Sequence, residues 1–480
     1  SLGETLSGEP GISSTYFGPG ASRPVIRGLG GDRVRVLTGG VGTIDASVVS
    51  PDHAVSLDPL LIDRIEVVRG PATLLYGGAA IGGVVNVLDG RIPEELPAGP
   101  LSGRLELRAA TESGEEAGAG VVTGRAGRLA WRADGFRRET DDLSIPGFAE
   151  SDARRAEEPG EDHAFGYLPN SASSSRGASF GLSYVGDRGH AGFAHSGFDT
   201  LYGVPGSDHD HGDGVKIDLR QRRWDLHGEM LQPLGLLRAA KLQLGFADYT
   251  HTELEGGEIG TRFTNQGYEG RLELPHARIG ALEGALGLQA SRSDFAAVGD
   301  EAFLPPSVTE NQAVFLYEEA TRGRFIWQAG ARLERQTIAP DAASGHSDRR
   351  HTGASFSAGV VWSVSDDYAV AFSATRNERL PNAQELFANG PHAGTGVFEV
   401  GDPALGPESS HGFDLSLRRR RGLVTGAVSL FLNDFSGYVF EQDTGTLDPD
   451  DGLPVHQFVQ RDARFHGGEL EVVLHLLRRP

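Results

Sequence analysis

The chain has no cysteine and a single methionine in 480 residues. Without Cys, neither a disulfide framework nor a thiolate metal site is possible, so any metal must be held by His, Asp and Glu. An excess of positive charge is also missing. Lys and Arg number 44 against 66 Asp and Glu, a net charge of −22, which excludes nucleic acid as a partner and suits a surface that meets cations. Long apolar runs are absent too. Ile62–Val68, among the longest, has charges inside it, whereas a spanning helix needs ~20 apolar residues. The opening Ser1-Leu2-Gly3-Glu4 has neither the basic start nor the apolar stretch of a signal peptide, so the sequence reads as mature or trimmed. No HExxH pattern, GxSxG elbow or phosphate loop occurs. Nothing supports an enzyme or a catalytic cofactor.

What the chain does have is glycine, 68 residues of it, and two regions of different texture. Residues 1–93 are punctuated by Gly and carry short apolar strings at Val34–Leu37, Arg64–Val68 and Gly83–Leu88. They read as a small mixed α/β domain. Residues 94–100 continue a Pro/Gly/Glu linker that begins at Arg91. From residue 101 to 480 the pattern alternates at period two. Leu242, Leu244 and Phe246 interleave with Lys241, Gln243 and Gly245, and Val428, Leu430 and Leu432 with Ala427, Ser429 and Asn433. One face is apolar and the other polar, the mark of a strand with unlike surroundings on its two sides.

The connections narrow the fold. Tight turns are expected at Gly124–Arg128, Gly186–Gly189, Thr321–Arg324, Ser365–Asp367 and Arg418–Gly422. Between them lie long polar stretches at Arg138–Ser174, Thr200–Gly214, Phe295–Glu310, Ala339–His351, Arg376–Ser410 and Glu441–His456. Short turn alternating with long loop is the habit of an antiparallel transmembrane β-barrel, and the segments amount to about sixteen strands. A soluble sandwich or propeller also alternates, but without thirty-residue loops at every second connection.

Two lines in the first region carry a resemblance. Arg23-Pro24-Val25-Ile26-Arg27-Gly28 is one; the other runs from Ile62-Asp63-Arg64-Ile65-Glu66-Val67-Val68-Arg69-Gly70-Pro71 through Gly82-Gly83-Val84-Val85-Asn86. Together they resemble the plug of TonB-dependent outer-membrane receptors. The physics suits them, since Gly70 and Pro71 end a strand in a fixed turn and paired glycines let backbones pass closely. The resemblance implies an all-β barrel of about twenty-two strands with the mixed plug inside its lumen. On that reading the chain is a fragment, lacking the start of the plug with its energy-coupling box and about six closing strands.

More narrowly, the chain resembles the ZnuD-like zinc receptors of that family. Ser50-Pro51-Asp52-His53-Ala54-Val55 matches where they carry an Asp-His pair. Leu201-Tyr202-Gly203-Val204-Pro205-Gly206, the Asp/His string after it, and Arg379-Leu380-Pro381 through Gly390-Pro391-His392 follow their pattern as well. Asp208, His209, Asp210, His211 and Asp213 then form an expected metal-capture loop. Asp52 and His53 supply the plug half of a tighter site, with His392 as barrel partner by resemblance. Glu318 or Glu319 is the fourth candidate. If Phe315 points to lipid, alternation sends Glu318 into the lumen, and a bulge would exchange the two. The remaining His residues, among them His190, His195, His227, His251, His346 and His351, are scattered singly and are read as lumen or loop residues without a metal.

The function expected from this is TonB-dependent uptake of a scarce metal ion, with Zn²⁺ as the carried ligand. TonB with ExbB/ExbD and outer-membrane lipid would be the partners. Haem or siderophore uptake by the same architecture is the alternative, with His392 as an axial haem ligand. A passive pore or adhesin would have no use for the plug line.

Overall fold

A computed structural model describes all residues except 158, 161, 207–213, 300, 301, 393, 451 and 477–480. Among the described residues, sixteen long strands follow the plug, each antiparallel to the next in sequence around a barrel. They run from Leu101–Ala110, Glu115–Ala126 and Leu129–Thr140 to Val424–Leu447 and Pro454–Leu474. No helix among the described residues is long and apolar enough to cross a membrane; the strands carry the apolar surface instead. On Val215–Leu231, Trp224 and Leu226 are 51% and 42% exposed while Arg223 and Asp225 between and beside them are buried. The outward row is apolar and the inward row polar, as a lipid-facing barrel requires.

One end of the barrel is closed by short connections: residues 127–128, 187–188, 323–324, 364–367 and 420–423, with longer ones at 232–238 and 276–281. The opposite end carries the long loops, two of which fold into structure of their own. Residues 141–172 contain the hairpin of Leu143–Phe148 with Phe165–Leu168. Residues 380–407 contain the helix Ala383–Phe387 and the hairpin of Asn389–His392 with Val397–Val400. The expected long loop at every second connection fails in two places, the first being residues 111–114 between Leu101–Ala110 and Glu115–Ala126. In the second, Ala239–Glu255 joins Glu258–Pro275 through Gly256 and Gly257 alone, both at positive φ. A two-residue hairpin of the twist-matched type needs that conformation at both central positions, and only Gly adopts it freely.

The first region folds inside the barrel. Its sheet orders Val41–Gly42, Val34–Thr38, Gly83–Leu88 and Arg64–Val68, with the two central strands parallel. Val34, Val36, Val85 and Val87 pack with Ile26, Leu2 and Leu6 as its core. Gly70, at φ 83°, turns the chain out of Arg64–Val68 into the short helix Pro71–Leu75. Ion pairs fasten the plug around the wall: Arg27 to Glu469 at 2.9 Å, Arg33 to Glu408 at 2.5 Å, Arg35 to Glu269 at 2.7 Å, and Asp63 to Arg132 at 2.6 Å. Glu408 is fully buried and also accepts from Arg379, at 3.2 Å, and from the Val439 amide, at 3.0 Å. A buried carboxylate is tolerable only with such saturation.

Candidate metal centre

Asp52 and His53 lie in a turn of the plug that is closed by the His53 amide bonding to the Ser50 carbonyl at 3.2 Å. Both side chains are fully buried. Adjacent residues ordinarily diverge, and the turn is what brings both to one side. The Ser50 hydroxyl donates to Asp52 Oδ1, fixing that carboxylate. Gly394, in the long loop, makes room for it, since a Cβ there would fall 2.2 Å from Asp52 Oδ2.

Two other parts of the chain converge on this pair. His392, at the end of Asn389–His392, puts Nε2 3.8 Å from Asp52 Oδ1. Glu253, near the long-loop end of Ala239–Glu255, puts Oε1 3.3 Å from His53 Nε2. His53 Nε2 is itself 3.9 Å from Asp52 Oδ2. One ligand atom from each of Asp52, His53, Glu253 and His392 lies within 4.8 Å of all the others. Around an ion with bonds of 2.0–2.2 Å, tetrahedral ligands stand about 3.4 Å apart. The observed separations bracket that value. The four side chains are close enough to hold one cation between them.

The outer partners fix which ring nitrogen faces inward. His53 Nδ1 lies 3.1 Å from the Ala46 carbonyl, which can only accept, so Nδ1 carries a proton and Nε2 is the nitrogen that faces Glu253 and the pocket. His392 Nδ1 lies 2.7 Å from Glu399 Oε1, and Gln384 holds the other Glu399 oxygen at 2.8 Å. Carboxylate behind imidazole is the common support of a metal-ligating His. Asp52 Oδ2 and His392 Nε2 are buried without a hydrogen-bond partner. Burial alone would push the His392 imidazole down, but the Glu399 hydrogen bond and charge, with Asp52 and Glu253, outweigh it and raise it to about 9. His53 is also raised, burial again being overcome by Asp52 and Glu253. The pocket favours positive charge.

The candidate residues do not all meet here. Glu318 hydrogen-bonds His276 at the short-turn end, 3.0 Å away. Glu319 accepts from Gln328 at 3.1 Å. The parity behind that pair is reversed: Phe315 faces the lumen, fully buried under the Arg271 guanidinium, which also covers Tyr76 of the plug. An apolar ring is as welcome against a plug as against lipid, so its hydrophobicity does not report its side. Asp208, His209, Asp210, His211 and Asp213 lie outside the described residues. His251, read from sequence as incidental, has its ring 4.3 Å from that of His53, with Tyr249 hydroxyl on Nδ1 at 2.8 Å.

Residues 147–477 match the family described as TonB dependent receptor-like, beta-barrel, and residues 1–84 match the TonB-dependent Receptor Plug Domain. The chain belongs to the TonB-dependent receptors. These are outer-membrane barrels of Gram-negative bacteria and are receptors, not enzymes, so the long-loop end faces outward and the short turns face the periplasm. A vitamin B12 transporter of Photobacterium profundum is 23% identical over 89% of the chain and 63% of its own length. The chain therefore spans under two thirds of that relative. A hemin receptor of Yersinia pestis is 43% identical over 79 residues, 16% of the chain and 11% of that protein. Among solved structures, a copper transporter, OprC, superposes with a TM-score of 0.82 at 17% identity, covering 99% of the chain and 74% of OprC; that likeness concerns the fold.

Proposed function

We propose that this receptor takes up a divalent transition-metal ion, Zn²⁺ foremost, across the outer membrane. The carrying observation is the buried convergence of Asp52 and His53 from the plug, Glu253 from the wall and His392 from the outer loop. Two imidazoles and two carboxylates suit Zn²⁺, which takes N and O ligands in four-fold array without Cys. The chemistry is ligand exchange. When TonB, energised by ExbB/ExbD, pulls on the plug, Asp52 and His53 leave with it. The ion then loses half of its shell from the barrel side and is released inward. The Asp/His string at 208–213 would gather ions at the mouth.

Haem uptake has support in the hemin receptor's local similarity, yet His392 is a poor axial ligand. Its ring is 1% exposed and stacks on Phe303 at 4.3 Å and 17°. An axial bond would leave from Nε2 in the plane of the ring, and that nitrogen is buried and faces Asp52 Oδ1 at 3.8 Å, where a porphyrin would have to lie. The deciding experiment uses the full-length receptor, purified and stripped with chelator, then titrated with Zn²⁺ and separately with haem. One tightly bound Zn²⁺ and no Soret shift is the expected result. A Soret shift with no zinc bound overturns the reading.

A further inference from the structure

Tyr202 lies near the outer end of Gly189–Gly203, fully buried, and its hydroxyl reaches the plug backbone on either side of His53. It donates to the Asp52 carbonyl at 2.9 Å and accepts from the Ala54 amide at 2.9 Å. A phenol has one proton to give and lone pairs to receive, so both functions are spent on one peptide stretch of the plug. The ring is seated by a second plug segment, for a Cβ on Gly20 would fall 2.6 Å from Tyr202 Cβ. The neighbouring Gly18 makes the same allowance for Pro205, with a hypothetical Cβ 2.5 Å from its Cδ.

We propose that Tyr202 is the positioning residue through which the barrel holds Asp52 and His53 in ligating geometry. The inference rests on the metal reading above and goes beyond it. Two neighbouring side chains reach one ion only while the backbone between them keeps its turn. Within the plug the turn is closed by one amide bond, from His53 to Ser50. Tyr202 adds the two bonds that pin the peptides before and after His53 to the wall. Neither bond uses a ligand atom, so Tyr202 touches the ion only through the shape it imposes. The same two bonds must break when the plug leaves, which ties release of the ligand pair to separation of plug from wall.

The test is Co²⁺ titration of the full-length receptor and of Tyr202→Phe, read by affinity and by visible d–d absorption. That absorption is strong in tetrahedral and weak in octahedral sites, a difference a loss of packing alone would not produce. Tyr202→Phe keeps the ring, so the melting temperature reports folding separately. The expected result is at least tenfold weaker binding with weakened d–d bands at little changed melting temperature. Gly20→Ala, which displaces the ring without removing the hydroxyl, should shift both readouts the same way. Wild-type affinity and spectrum in Tyr202→Phe would overturn the inference alone. Should Tyr202→Phe fail to fold, unchanged Co²⁺ binding in Gly20→Ala overturns it equally. A wild-type receptor that binds no Co²⁺ removes the metal reading and this inference with it.

Discussion

Glu253 and Glu399 sit on opposite sides of the imidazoles, and the difference between them can be measured. Glu253 offers an oxygen to the pocket, whereas Glu399 stands behind His392. Substituting an outer carboxylate typically lowers metal affinity about 10–100-fold, so Glu399→Gln should fall in that range and Glu253→Gln should exceed it, by calorimetry with Zn²⁺. Equal effects would contradict the assigned roles. The pH dependence follows from His392, raised to about 9. Below that pH the imidazole is protonated, and ligation must expel the proton. Zinc affinity should therefore fall as pH falls from 9, by about tenfold per unit for this one group. Calorimetry in buffers of different ionisation heat should register the proton's release, and a pH-independent affinity would refute it. Asp52, His53 and His392 were legible in the sequence because each lies in a distinctive line. Glu253 was not, because a single Glu on an alternating strand resembles any lumen charge. Its signal was nevertheless present: Leu242, Leu244 and Phe246 face out, so the opposite parity carries Tyr249, His251 and Glu253 inward.

At the scale of elements, the plug is held to the wall by buried charge, and one carboxylate bears several of the contacts. Glu408 joins Arg33 of the plug to Arg379 of the strand Tyr368–Arg379, which in turn pairs with Glu385 of the outer helix. Removing one member of such a network leaves the others buried and uncompensated, at a cost of about 3–5 kcal/mol. Glu408→Ala should lower the urea midpoint for plug unfolding accordingly. The exposed pair Arg464–Asp434 is a fair control, and its loss should leave the midpoint unmoved; equal effects would show that burial is not what gives the network its strength. The strands themselves were readable because lipid on one side and plug on the other impose period two. The turn at Gly256-Gly257 and the inward ring of Phe315 were harder. In the first, two glycines suffice for a connection where length was expected. In the second, the plug supplies an apolar and cationic surface that alternation alone cannot tell from lipid.

For the whole molecule, the distribution of the candidate ligands matters more than their number. Two come from the plug, one from the wall and one from a loop that returns to the wall at Phe398–Val400, beside Val455–Gln457. A site confined to the barrel would bind an ion and leave the plug indifferent. A site shared across three parts makes the ion a cross-link between them. Binding to the assembled state alone stabilises it by about 2.7 kcal/mol when free ligand is a hundredfold above Kd. Zinc should thus slow hydrogen exchange over residues 50–55 and raise the urea midpoint of plug unfolding. The increment should vanish both in His53→Ala, which removes a plug ligand, and in His392→Ala, which leaves every plug residue intact. That second loss is the informative one, because it can reach the plug only through the ion. If zinc still stabilised the plug of His392→Ala to the wild-type extent, the ion would be bound by the plug alone. Its capture could not then be linked to plug position through this site, and release on plug movement would need another cause.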